Sequence, residues 1–229
     1  MSIIYKRPVL ELYMMRLPAT LKLAAASILV AVLMSIPLGI KASTHHGTLI
    51  DNASMVTSLL GLSLPNHWLG LMLCVVFAQK LHWLPSGGDQ QGIKSIILPA
   101  ITIGTGLMAT MPRTTRSSML DVIRQDYLRT ARAKGVSEKE VIRKHALKNA
   151  LIPILTVLGS TLGNALGGSV TVEAVFAWPG VGRLTVSAIN QRDMTLATGC
   201  IIMFTLLLNL TLLAVDIAYA FVDPRIKAR

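Results

Sequence analysis

The chain alternates long apolar runs with short polar connections, and the runs have the length of membrane spans. A bilayer core about 30 Å thick is crossed by roughly 20 mainly apolar helical residues. Five stretches meet or approach that length without a central charge, at about 21–40, 55–77, 96–111, 151–172 and 196–222. Each span in lipid must satisfy its own backbone, so the expected fold class is an all-α integral membrane protein of about five transmembrane helices. Proline removes a helical donor and crowds the preceding turn, and Pro65 is expected to kink the second run. The third run is the least regular, interrupted by Pro99, Gly104, Gly106 and Pro112.

Composition agrees with lipid as the solvent. Of 229 residues, 52% are hydrophobic and 14% charged, and the mean hydropathy is +0.59, too apolar for one water-soluble core. A net charge of +11 would suit nucleic acid if it were spread over one face, but nine of the eleven excess charges sit within 113–148 and 225–229. With no zinc-finger spacing or Gly-rich RNA-binding stretch, nucleic acid is not an expected partner.

Basic connections stay on the cytoplasmic side. That rule places the 113–150 connection and the tail 223–229 in the cytoplasm, and 84–94 and 173–195 outside. The expected division is an external segment 1–18, a transmembrane domain 19–222 that includes the cytoplasmic loop 113–150, and a cytoplasmic carboxyl-terminal tail 223–229. Segment 1–18 carries Lys6, Arg7 and Arg16, against the rule, which leads to the expectation of a further apolar span before residue 1 in a longer gene product.

The internal loop reads as helix, turn, helix. Ile123, Tyr127 and Ala131 fall at four-residue steps and form one expected stripe. Gly135 is a natural helix stop. Ser137 and Glu140 have the spacing of a capping box, and Glu140 and Lys144 that of an i,i+4 pair. Two readings stand on physics alone: a short amphipathic helix that inserts into a groove on a soluble partner, or a basic helix that lies on anionic headgroups.

The residues of this loop carry a resemblance. Arg129-Thr-Ala-Arg-Ala-Lys-Gly135 is similar to the EAA signature of ABC importer permeases, the loop by which such subunits dock on their ATPases. Arg7-Pro-Val, Trp83-Leu-Pro-Ser-Gly-Gly, His145 to Pro153, Val175-Phe-Ala-Trp-Pro-Gly-Val-Gly-Arg183 and Asp223-Pro-Arg225 resemble, in order, the dipeptide, oligopeptide and nickel branch. Arg129 stands where the name-giving acidic residue would be, and the branch's opening span is expected to lie before residue 1 in a longer gene product.

The resemblance implies the MetI-like permease fold and a translocation subunit for peptides or a nickel chelate in the cytoplasmic membrane. Tyr127, Arg129, Thr130, Ala131, Arg132, Ala133, Lys134 and Gly135 would form the ATPase-coupling loop. It further implies a second homologous permease subunit, two ATPase subunits or domains that bind ATP and Mg, and an extracytoplasmic substrate-binding protein. The chain contains no G-x-x-x-x-G-K-[ST] of its own. The outer connection with Phe176, Trp178, Pro179 and Gly180 would help close the path and meet the binding protein, whereas physics alone reads it as an aromatic belt followed by a short helix over 184–189.

In the fourth run, Gly159, Gly163 and Gly167 recur at four-residue steps and suit close helix packing, while Asn164 and Ser169 are candidates for a polar path. Glu173, just past the outer end, is expected to stay hydrated, as an anchor or salt-bridge partner or to steer a cationic substrate. Asp216 reads as a structural bond to a neighbouring helix or a group for ion coupling. Cys74 and Cys200 read as buried small hydrophobes. No catalytic set, bound metal site or cofactor is expected: the five histidines form no i,i+4 pair, and no H-E-x-x-H or G-x-S-x-G occurs. The competing function is a secondary transporter or channel without an ATPase, which would place ionisable residues or broken-helix sites near the bilayer midplane.

Overall fold

The computed structural model describes residues 1–222, so the Asp223-Pro-Arg225 motif and the tail lie outside the described residues. Within them all regular structure is helical. The first helix, α1 (Val9–Thr44), starts within the segment expected to precede the first span. Pro8 sits at its amino-terminal cap with Glu11 in the first turn, where a fixed φ and an acidic side chain both favour helix entry. Its first turns are sheltered, since Tyr13 is buried with Val181, Leu196 and Cys200.

The second run is two helices, α2 (Leu49–Ser63) and α3 (Asn66–Leu73), the latter continued by a π-helical stretch Cys74–Lys80. The pair bends by 97° at Pro65, so the expected kink is a complete break. The third run also divides. Helix α4 (Ile93–Gly106) passes through a 3-10 turn, Leu107–Ala109, into α5 (Met111–Ile123) at 59°, because Pro112 suits the first turn of a new helix better than the interior of an old one. Helix α5 therefore takes the first part of what the sequence assigns to the loop.

Beyond it come α6 (Asp126–Ala133), α7 (Glu138–Glu140) with a π-helical stretch Val141–Ala146, and α8 (Leu147–Val175). A short α9 (Val181–Asn190) and the final α10 (Met194–Val222) complete the chain. By length and composition α1 and α10 can cross a membrane, and up to five spans result if each of three bent pairs is one.

Helix α1 runs through the centre against α4, α5 and α8. The main core lies where they meet, around Leu23, Leu98, Ile103, Ala165 and Phe176. A second cluster joins α1 to α9 and α10, and a third, around Leu128, lies beneath α6. Of the small-residue stripe on α8, Gly163 receives Leu212 of α10 while Gly167 faces open space. Asp216 is exposed and makes no hydrogen bond or ion pair among the described residues, so the expected structural bond is not made.

Candidate functional site

Three places carry the residues singled out by sequence: an arm at the α5–α8 end, a cavity at the helix breaks, and a closely packed face around α9. In the arm, α6 is pinned by Leu128, which is fully buried among Met119, Val141, Ala146 and Ala150. Tyr127 is exposed. The expected Ile123–Tyr127–Ala131 stripe assumed one continuous helix, but the break at Arg124–Gln125 changes the phase, and Leu128 with Ala131 faces inward instead. The Tyr127 hydroxyl accepts from Asn149 Nδ2 at 2.6 Å, tying the arm to α8.

Gly135 ends α6 with φ +81°. The amide of Gly135 donates to the Arg132 carbonyl and that of Val136 to the Ala131 carbonyl, the paired bonds of a Schellman motif. Arg132 grips Glu138 through two bonds of 2.9 Å. The expected capping box is absent: the Ser137 side chain makes no cap bond, because Glu140 turns to Lys144. Burial being slight, the Arg132 hydrogen bonds dominate and hold the Glu138 carboxyl below its ordinary range. Exposed along α6 and its carboxyl-terminal cap are Asp126, Tyr127, Arg129, Thr130, Ala133 and Lys134, a mainly basic face with small residues between the charges, on which Arg129 lies 3.8 Å from Asp126.

At the breaks, the start of α3, the α4–α5 junction and α8 surround a cavity of about 440 Å³. Asn66, Thr110, Thr161 and Asn164 supply its polar lining, and no charged residue lines it. A second cavity, of about 580 Å³, shares Thr110 and is lined by Arg113, Arg116 and Ser117 of α5. Arg116 is neutralised by Asp51 through bidentate bonds of 2.6 and 2.7 Å. Asn164 therefore lines a cavity. Ser169 does not: it is buried and donates to the Leu166 carbonyl.

Glu173 is also away from both cavities and is fully buried, which corrects the expectation of a hydrated carboxylate. Thr20 of α1 donates to it at 2.8 Å and the Arg183 amide at 3.2 Å, while Thr20 accepts from the Val181 amide at 2.8 Å. The carboxylate thus caps the amino-terminal end of α9, where unpaired amides and the helix dipole favour negative charge. A β-carbon on Gly180 would lie 2.3 Å from the carboxylate, and one on Gly182 2.5 Å from the Val170 backbone, so both must be glycine for the cap to form.

Phe176 and Trp178 are buried rather than arrayed as an interfacial belt. The Trp178 indole donates to the Ala19 carbonyl at 2.9 Å, and the Gly88 amide to the Phe176 carbonyl at 2.8 Å. Pro179 is half-buried, Gly180 is buried, and α9 follows directly, three residues longer at the start than expected from sequence. Asp193 closes this face. It accepts from Ser2, from the amides of Ile3 and Ile4, and from the Leu196 amide at the start of α10. Burial raises the Asp193 carboxyl, but these donors outweigh it and the carboxyl lies below its usual range.

Residues 35–228 match the family model of the binding-protein-dependent transport system inner membrane component. The chain belongs to this family. It is 43% identical over 229 residues to the oligopeptide transport system permease protein AppB of Bacillus subtilis (strain 168), covering 96% of this chain and 72% of that one. To the dipeptide transport system permease protein DppB of Alkalihalophilus pseudofirmus it is 40% identical, over 96% of this chain and 74% of the relative. A permease of the MetNI methionine ABC transporter in an inward-facing conformation superposes with a TM-score of 0.77 over 95% of this chain and 99% of that one, at 17% identity, so the two share the fold.

For a binding-protein-dependent inner-membrane component, the residues invisible to sequence reasoning are those joined across long separations. Thr20 and Glu173 are 153 positions apart and Asp51 and Arg116 are 65 apart. Asn66 left a usable signal, since a polar residue just after a helix-breaking proline inside an apolar run has no structural role in the run itself. Broken helices at the cavity would also suit the competing secondary transporter; membership of this permease family is what decides. Among the described residues, no cluster of His, Cys, Asp and Glu could hold a metal ion.

Proposed function

We propose that this permease carries peptides inward across the cytoplasmic membrane, with ATP hydrolysed on separate subunits that grip the α6 arm. The arm and the carboxyl terminus face the cytosol, following the basic charge of 113–148 and 225–229. The cargo assignment rests on the oligopeptide and dipeptide permeases it resembles. A second homologous permease chain would complete the path, two ATPase domains would supply ATP and Mg, and an external binding protein would meet the outer face around Trp178 and α9.

The observation that carries the docking role is how α6 is built. Leu128, the Schellman turn and the Arg132–Glu138 pair fix the helix from behind, leaving Arg129, Thr130, Ala133 and Lys134 outward. A helix held at its back and free at its front can transmit force to whatever fits the front. A β-carbon at Gly135 would meet nothing within 4 Å, so Gly135→Val acts only through its backbone conformation, at about 1–3 kcal/mol of local strain.

In a complex purified with its ATPase subunits, Gly135→Val is expected to reduce the co-purified ATPase about tenfold while the permease's thermal unfolding midpoint falls by only a few degrees. Full retention of the ATPase would remove α6 as the docking element. Labelling of Lys134→Cys from outside intact cells would reverse the orientation.

A further inference from the structure

The two cavities form a chemical sequence. The upper one, beside α3 and α8, presents carboxamides and hydroxyls with no charge among the described residues, and the lower one, across their shared Thr110 along α5, presents two guanidinium groups among the hydroxyls of Thr114, Ser117 and Ser118. Of the two lower cations, Arg116 is already matched by Asp51 through both of its bonds. Arg113 is exposed to the cavity and makes no ion pair or hydrogen bond among the described residues. An uncompensated guanidinium in the first turn of α5, close to an apolar run, is costly unless it meets water or an anion, and its planar fork matches an oxyanion.

Carboxamides offer both donors and acceptors and so match amide backbones without regard to side-chain charge. Asn66, from the start of α3, and Asn164, from α8, both bring such groups to the lining of the upper cavity. A peptide has both kinds of group in the same order: neutral amides along its length and one carboxylate at its end.

We infer that Arg113 is a specificity-determining residue that binds the terminal carboxylate of a peptide in the lower cavity, while Asn66 and Asn164 engage its backbone amides in the upper. The inference deepens the peptide-import reading above and rests on it. The same oxyanion chemistry has one other source, the phosphate of an anionic lipid headgroup, and the test separates the two.

The assembled transporter, with its ATPases and binding protein, is reconstituted in vesicles of phosphatidylcholine with or without phosphatidylglycerol. Uptake of one labelled tripeptide is compared as the free acid and as the carboxyl-terminal amide. Each variant is referred to the wild type for the same peptide, so the binding protein's preference cancels. Arg113→Gln is expected to cut free-acid uptake about tenfold, through KM rather than the maximal rate, and amide uptake less than twofold. Arg113→Lys should restore most of the loss, and both lipid mixtures should give the same result.

Equal loss for both peptides, or no loss for the free acid, overturns the inference. A loss confined to phosphatidylglycerol vesicles assigns Arg113 to a headgroup and overturns it as well. If the wild type takes up neither peptide, the peptide-import reading itself fails; if it takes up both and Arg113→Gln treats them alike, only the inference does.

Discussion

Glu173 has no salt-bridge partner among the described residues, yet it is fully buried. Its stabilisation comes from neutral donors, and an unmatched buried polar group costs about 1–3 kcal/mol each. Glu173→Ala would strand Thr20 and the first amides of α9 together. A drop of several degrees in the thermal unfolding midpoint of the detergent-solubilised permease is expected, with Glu173→Gln intermediate because it keeps one acceptor. An unchanged midpoint for the alanine variant would mean that the cap contributes nothing. This residue was misread from sequence for a definite reason: position relative to an apolar run says how far a side chain is from lipid, but not whether a distant helix end will cover it. Thr20 and Gly180 to Arg183 become its neighbours only in three dimensions.

At the level of elements, the helix-turn-helix of the arm was legible because its signals are local. Gly135 ends α6 and Glu140 pairs with Lys144, both within a few residues. The capping box is not formed: Ser137 makes no side-chain cap bond, and its expected partner Glu140 takes Lys144. The Arg132–Glu138 pair is largely exposed, so it is worth at most about 1 kcal/mol. Glu138 lies below its ordinary range, so that contribution is complete above the unfolded value and fades as pH falls through the lowered one. Arg132→Ala at neutral pH should therefore speed amide exchange around Gly135 and Val141 by up to about fivefold, and the difference from wild type should vanish in strong acid. A difference that grew on acidification would contradict the assignment.

Across the whole molecule, the apolar runs announced the helices and Pro65 announced a break, since both follow from composition within one segment. The cavity between the breaks was not announced, because it depends on how α3, α5 and α8 meet. One pair shows what fixes that meeting. Asp51 binds Arg116 and also accepts from the Gly47 amide, fastening the start of α2 to the middle of α5. Losing one member leaves the other charged and poorly solvated, which in buried pairs costs about 3–5 kcal/mol; partial exposure of Arg116 places this pair below that range. Asp51→Asn or Arg116→Gln alone should lower the unfolding midpoint more than the double substitution predicts by addition. Strict additivity in that cycle would show that the two are not coupled.

The packing around Phe176 has a mechanical corollary. A carbonyl that follows α8 anchors the α3–α4 connection through Gly88, and a side chain on Gly87 would come within 2.4 Å of that same Phe176 oxygen. Two stretches of chain nearly ninety positions apart are thus pinned together, so in the proposed orientation an opening that admits cargo would swing both, hinge and leaf, rather than peel back either edge alone.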